Sequence, residues 1–273
     1  NENTWLIEFN GDFVPLELVL LNTNYRQLVL PQSLGFVSDL SLFFQEKFKD
    51  PLLIIPRNVF YNPDKMPVTS GVIDRGTNLG LNIAEVMSIN AYTWYTNLML
   101  EKFLRRDIDA VFELVEKKIN ESGNLSQPLD LAVGQVLQEI MFHLVFITSG
   151  LNKLPPYEGK YLYREWTDYK KIEEQLRAKY VGGEPVLKWS FTSTAMKSEA
   201  VDPLRVHGLV NMKSSATDIS MLSQLEHEQE VLIHPYTLFK PKWGADSRLD
   251  LTEISVADDW WIAYISERDL QLG

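Results

Sequence analysis

Residues 223–235 read SQLEHEQEVLIHP, three glutamates in five positions followed at once by an apolar run. Val231, Leu232 and Ile233 are β-branched or bulky residues suited to a pleated, half-buried surface, so the stretch predicts a strand. In a strand, side chains at i and i+2 share a face, which sets Glu228 and Glu230 roughly 7 Å apart on one side. Two carboxylates at that separation repel unless a cation sits near them. Taken alone, the pair reads most simply as a solvated strand entrance.

Working outward, similar short runs flank this one: KYLYR (160–164), LKWSFTST (187–194), VHGLVNM (206–212) and WWIAYISE (260–267). Gly, Pro and Ser separate them, a texture that predicts a mixed or antiparallel sheet assembled late in the chain. The amphipathic stretch TDYKKIEEQLRAKY (167–180) is the helix expected among them.

The first half has a different texture. Asn10-Gly11 lies between apolar stretches and predicts a β-hairpin. SDLSLFFQEKFKD (38–50) predicts a short helix capped by Ser38 or Asp39 and followed by Pro51. Residues 62–82, rich in Pro, Gly, Asn and Asp, read as a long connection with Gly76 and Gly80 as turn residues. From 83 to 119 the apolar spacing is helical, with Phe103, Leu104, Ile108, Val111, Phe112 and Val115 on one side. NESGN (120–124) ends that run. Ser126 and Pro128 then open a second helix, which Ser149-Gly150 is expected to stop. The expected fold class is α+β, divided into residues 1–80 with the hairpin and short helix, a helical lobe at 81–150, and a β-rich unit at 151–273.

Composition narrows the function classes. At 273 residues and 45% hydrophobic, the chain can bury one large core or two modest ones. A net charge of -11 works against phosphate backbones and anionic membranes, so neither nucleic acid nor membrane is expected as a partner. With no cysteine, thiol nucleophiles and Cys-based zinc sites are excluded. The longest apolar run, around residues 138–147, is too short to span a bilayer. Opening on Asn1 instead of Met is expected of a trimmed chain, in which an export signal would not be visible.

The four histidines, at 143, 207, 227 and 234, show no metal-ligand spacing, and His143 reads as a core residue, so no metal is expected. No Gly-x-Ser-x-Gly elbow occurs, and RGTNLGLN lacks the residues of a phosphate loop.

What remains is the ordered set LPPYEGKYLYRE (154–165), WSFTSTA (189–195) and EHEQEVLIHPYTLF (226–239). Each has an ordinary structural explanation as a strand end, a strand hydroxyl pair or a solvated turn. Together, an arginine ending one strand, a Ser-Thr pair after an aromatic in a second, and Glu-x-Glu opening a third resemble the R-S-E class of mono-ADP-ribosyltransferases. Leu154, Pro155, Tyr157 and Gly159 match the lead-in to Arg164. Ile219, Ser223, Glu228, Glu230, Val231, Leu232 and Phe239 match the third segment. Ala195 and Glu165 depart from that pattern. The resemblance covers roughly residues 145–265.

It implies a mainly antiparallel β-sandwich core with a central NAD cleft and, ahead of it, a helical lobe of the kind found in bacterial toxins and effectors. NAD+ would be the co-substrate and a host-cell protein the target, with secretion from a bacterium and action in host cytosol. Glu230, Glu228 and Ser193 take the catalytic roles, and Arg164, Ser193, Thr194, Phe191 and Glu230 contact the dinucleotide. Glu-x-Glu resembles the arginine-modifying members. Threonine or another acceptor (on ubiquitin, for example), an NAD glycohydrolase, and a catalytically silent binding module are the alternatives.

Overall fold

The computed structural model describes residues 6–9, 12–15, 68–105, 107–122, 129–165, 174, 177–178, 183, 185–188, 190–197, 207–211, 215–243 and 249–254. The expected helices at 38–50 and 167–180, apart from residues 174, 177 and 178, lie outside these residues, as do the WWIAYISE run and the start of the second long helix at Ser126 and Pro128. The chain divides into two compact units, Asn1–Leu154 with Asp269–Gly273, and Pro155–Arg268.

In the first unit, β1 (Leu6–Phe9) and β2 (Asp12–Pro15) pair antiparallel with Phe9 opposite Asp12, the register that Asn10-Gly11 predicts. The stretch read as a connection instead holds a helix, α1 (Ser70–Asn78), whose N-terminus is capped by Thr69. Gly80 is a turn residue, with φ of 85°. Gly76 is not: it lies inside α1, buried against Val86, and the helix needs it for that close approach. Breaker composition was misleading here because one cap and one helix contact outweigh a few poor helix formers.

The apolar run from 83 is helical but broken, into α2 (Ile83–Ala91), a π-helical turn (Tyr92–Thr96), α3 (Asn97–Leu104) and α4 (Ile108–Ser122). Phe112 is exposed, whereas Phe103, Leu104, Val111 and Val115 are buried. The second long helix, α5 (Leu129–Lys153), runs straight through Ser149-Gly150. Glu85 is the reason. Fully buried, it completes a capping box with Asn82, accepts from the Ser149 hydroxyl at 2.7 Å, and meets Lys153 Nζ at 2.9 Å. A Cβ at 150 would lie 3.1 Å from Glu85 Cβ and 2.9 Å from Ile89 Cδ1, so glycine there serves helix contact, not helix termination. Thr96 and His143 Nε2 share a buried hydrogen bond of 2.9 Å, and burial pulls the imidazole down to about 3, so His143 is a neutral core residue.

The second unit contains β3 (Tyr161–Glu165), β4 (Val186–Lys188), β5 (Thr192–Ala195), β6 (His207–Asn211), β7 (Ala216–Asp218), β8 (Glu230–Ile233), β9 (Thr237–Trp243) and β10 (Leu249–Glu253). They hydrogen-bond in the order β4-β9-β10-β6-β3-β5-β8-β7, antiparallel throughout except for the parallel β6–β10 pair. The fold is α+β with a mixed, mainly antiparallel sheet.

β8 and β9 are successive in the chain yet stand seventh and second in that order. Flat, they would lie roughly 24 Å apart. The link from Ile233 to Thr237 reaches about 14 Å at most. The sheet must therefore curl so that its ends face each other, and one core cluster joins Val231 and Ile233 of β8 to Phe239 of β9 and to Leu249 and Leu251 of β10. A buried side-chain bond crosses the same gap: Ser215 Oγ donates to Glu253 Oε1 at 2.5 Å. At the edge of β7, Pro156 bridges Thr217 and the Tyr157 N–H donates to Ala216 O at 2.8 Å, which covers a strand edge that would otherwise be open.

The Gly76 contact is testable. A Cβ there would run into Val86 Cγ2 and lie 3.1 and 3.2 Å from Cγ1 and Cβ, and turning the valine costs its preferred helical rotamer and leaves the Cβ contact in place. Gly76→Ala is expected to cost about 1–3 kcal/mol, read as a lower urea midpoint of the helical signal.

Candidate active site

Glu230 opens β8, and its side chain is 4% exposed. Strand alternation sends Val231 and Ile233 into the apolar cluster and leaves Glu230 and Leu232 on the opposite face. β5 lies alongside, with Ala195 directly opposite Glu230 and Ser193 opposite Leu232. Ser193 is therefore the diagonal neighbour of Glu230, and its hydroxyl hydrogen-bonds the carboxylate. Ala195, opposite the glutamate, contributes no competing polar group.

A second hydroxyl arrives from the segment between β7 and β8, where Ser223 Oγ donates to Glu230 Oε2 at 3.4 Å. The guanidinium comes from β3. β3 and β5 share only one ladder pair, Tyr163 with Ala195, and beyond it Arg164 Nη1 donates to Ser193 O at 2.6 Å. That contact ties the arginine to the backbone of the very serine that holds Glu230.

Burial pushes the Glu230 carboxyl above the usual carboxylate range. The Ser193 hydrogen bond works against that shift, Glu228 adds to it by like charge, and Ser223 and Arg164 oppose it. All four groups thus stand within electrostatic reach of Glu230, with burial dominant.

The expectation that Glu228 and Glu230 project from one strand face is corrected. Glu228 ends a 3-10 turn, Glu226–Glu228, and Gln229 has φ of 48°, so the period-two rule does not extend past Glu230. The left-handed residue turns the chain between the two glutamates. Gln229 O accepts from Met196 N at 3.3 Å, and Glu230 O accepts from Ile219 N at 3.1 Å, which fixes that turn against β5 and the preceding loop.

Of the other expected contact residues, Thr194 faces away from Ser193, and its hydroxyl donates to Val231 O at 2.7 Å within the buried ladder. Phe191 is buried just before β5. Ser223 was recognised in the sequence as matching a pattern but carried no role there, since nothing local to it signals that a residue seven positions on will accept its proton.

No family model matches the sequence, and no curated protein does. Among solved structures, the ADP-ribosyltransferase HopU1 of Pseudomonas syringae pv. tomato DC3000 is 16% identical, with 71% of this chain and 86% of that one covered at a TM-score of 0.46. The eucaryotic mono-ADP-ribosyltransferase ART2.2 is 13% identical, covering 78% and 88% at 0.48. The type III effector XopAI of Xanthomonas axonopodis pv. citri is 16% identical, covering 89% and 91% at 0.48.

A carboxyl raised by burial has a stability consequence. Its folded-state value exceeds the unfolded one, so its contribution is full below the unfolded value, near 4.3, and is lost as pH rises through the folded one. Glu230→Gln removes that loss and leaves an amide oxygen as acceptor for one of the two hydroxyls. The variant is expected to melt higher than the wild type at pH 7, with the difference shrinking toward pH 4. Equal melting temperatures across that range would show that the carboxyl is not strained in the fold.

Proposed function

We propose that the chain is a mono-ADP-ribosyltransferase that takes NAD+ as substrate and passes ADP-ribose to a side chain of a target protein, arginine in preference. One observation carries the reading: a glutamate buried at a strand entrance, held by Ser193 and with Arg164 in electrostatic reach. A carboxylate immobilised in a poorly solvated site is suited to stabilising positive charge that develops late.

When the ribose C1′–nitrogen bond breaks, its electron pair stays on nicotinamide and the sugar gains oxocarbenium character. Glu230 accepts from the ribose 2′-hydroxyl and faces that charge. Ser193 fixes the carboxylate, a contribution of orientation. Arg164 brings the positive charge that a pyrophosphate requires in a chain of net charge -11. Phe191 is proposed as a flat neighbour of the nicotinamide ring, and Thr194 acts by pinning β5 to β8.

Glu228, on the turn outside the strand, draws the incoming guanidinium by charge. The attacking nitrogen bonds to C1′ and yields its proton to Glu228. A threonine hydroxyl would use the same base. The target is proposed to be a host-cell protein and the source a bacterium that exports the chain as a toxin or effector, both on the sequence resemblance alone.

Nicotinamide release from NAD+, followed with and without a cell lysate, tests the reading. A slow release with water as acceptor, accelerated by lysate, is expected. Release that lysate does not accelerate identifies a glycohydrolase, and no release under either condition overturns the enzyme reading. Glu230→Gln is expected to lose at least 100-fold in turnover with NAD+ affinity within tenfold. Arg164→Ala is expected to weaken NAD+ binding by about 2–3 kcal/mol in calorimetry. Glu228→Gln should abolish protein labelling while sparing hydrolysis, and mass-spectrometric mapping of the labelled peptide identifies the acceptor.

A further inference from the structure

The segment from Ile219 to Glu228 is suspended from Glu230 twice. Its backbone hangs on the Ile219 N–H bond to Glu230 O at 3.1 Å, and its side chains on Ser223. Inside the segment, Leu222 N and Ser223 N donate to Ile219 O at 2.8 and 2.9 Å, and Glu228 N donates to Leu225 O at 2.9 Å. Ser223 is 2% exposed, and its Oγ accepts from Leu225 N at 3.0 Å. A hydroxyl has a single proton to give, and with the Leu225 N–H on a lone pair that proton is directed at the Glu230 carboxylate.

A continuous path therefore runs from the Glu230 carboxylate through Ser223 Oγ to the Leu225 N–H, and from the Leu225 carbonyl to the Glu228 N–H. It joins the carboxylate on the strand to the one on the turn across Gln229, whose left-handed backbone takes Glu228 out of the strand. We propose that Ser223 is a positioning residue that couples the orientation of Glu230 to the placement of Glu228. The proposal deepens the transferase reading and rests on it for the roles of the two glutamates. The charged groups facing Glu230 are Glu228 on the turn and Arg164 on β3, and its other hydroxyl donor is Ser193 on β5.

Three measurements on the full chain test it, using Ser223→Ala and Ser223→Thr. The first two do not depend on activity. In Ser223→Ala the Glu230 carboxyl, titrated by carbon NMR, is expected to move up, because a donor to its ionised form is gone. The amides of Leu225 and Glu228 are expected to exchange faster by roughly fivefold or more. Nicotinamide release should fall about tenfold in kcat with KM for NAD+ within twofold, and protein labelling should fall further. Ser223→Thr, which keeps the hydroxyl, is expected to restore all three.

A Glu230 titration unmoved in Ser223→Ala, or a threonine variant that behaves like the alanine one, overturns the proposal, and a lower melting temperature with the titration unmoved shows a merely structural serine. Should Ser223→Ala not fold, Ser223→Cys, a much weaker donor of similar volume, carries the same titration. Absence of nicotinamide release from the wild type defeats the transferase reading instead, and the titration and exchange arms still decide whether Ser223 couples the two residues.

Discussion

A carboxylate placed at the start of a strand that is buried on both faces needs donors, and the surroundings of β8 follow from that need. Without the hydroxyls of Ser193 and Ser223, ionising Glu230 at 4% exposure would cost several kcal/mol. β5 must therefore run beside β8 in the register that brings Ser193 to the diagonal, and Ala195 must stand opposite without a polar group. The loop before β8 must fold back far enough to deliver Ser223. Arg164 completes the set by gripping the carbonyl of Ser193, so that the residue orienting the carboxylate is itself held from β3.

On the proposed transferase reading, this arrangement opposes stability to chemistry. Burial favours the neutral acid, whereas stabilising an oxocarbenium-like sugar needs the anion, and the two serines and the arginine recover part of the difference. Glu228 works the other way as long as the site is empty of a cation. A guanidinium drawn toward Glu228 would offset that repulsion, so the acceptor side of the site would also favour the charged form of Glu230.

Much of the second unit was legible in the sequence. The runs at 160–164, 187–194, 206–212 and 230–235 overlap β3, β4, β5, β6 and β8, with 187–194 divided between β4 and β5, and Arg164, Ser193 and Glu230 stand out only through the family resemblance, since each alone reads as an ordinary strand residue. What failed did so for identifiable reasons. Glu228 and Glu230 look like an i, i+2 strand pair because nothing in Glu-Gln-Glu announces a positive φ at a glutamine. Thr194 was read with Ser193 although period two sends it to the other face, a point that sequence alone contained. In the helical unit, Gly76 and Gly150 read as punctuation in the sequence, yet both are contact glycines whose partners, Val86 and Glu85, are distant or hidden in the chain. Long-range contact is what composition cannot express.

The short link between Ile233 and Thr237 also governs how the core can be assembled. β8 pairs with β5 and β7, and β9 with β4 and β10, so these two successive strands have no ladder in common. No hairpin joins these two as a nucleus, and the β5–β8 and β4–β9 pairings, between segments distant in the chain, must meet loop-closure entropy before they return free energy. Tyr236, 1% exposed with φ of 61°, stands in the link between β8 and β9. The surroundings of Glu230 are therefore expected to reach their final arrangement only when both ends of the sheet have come together.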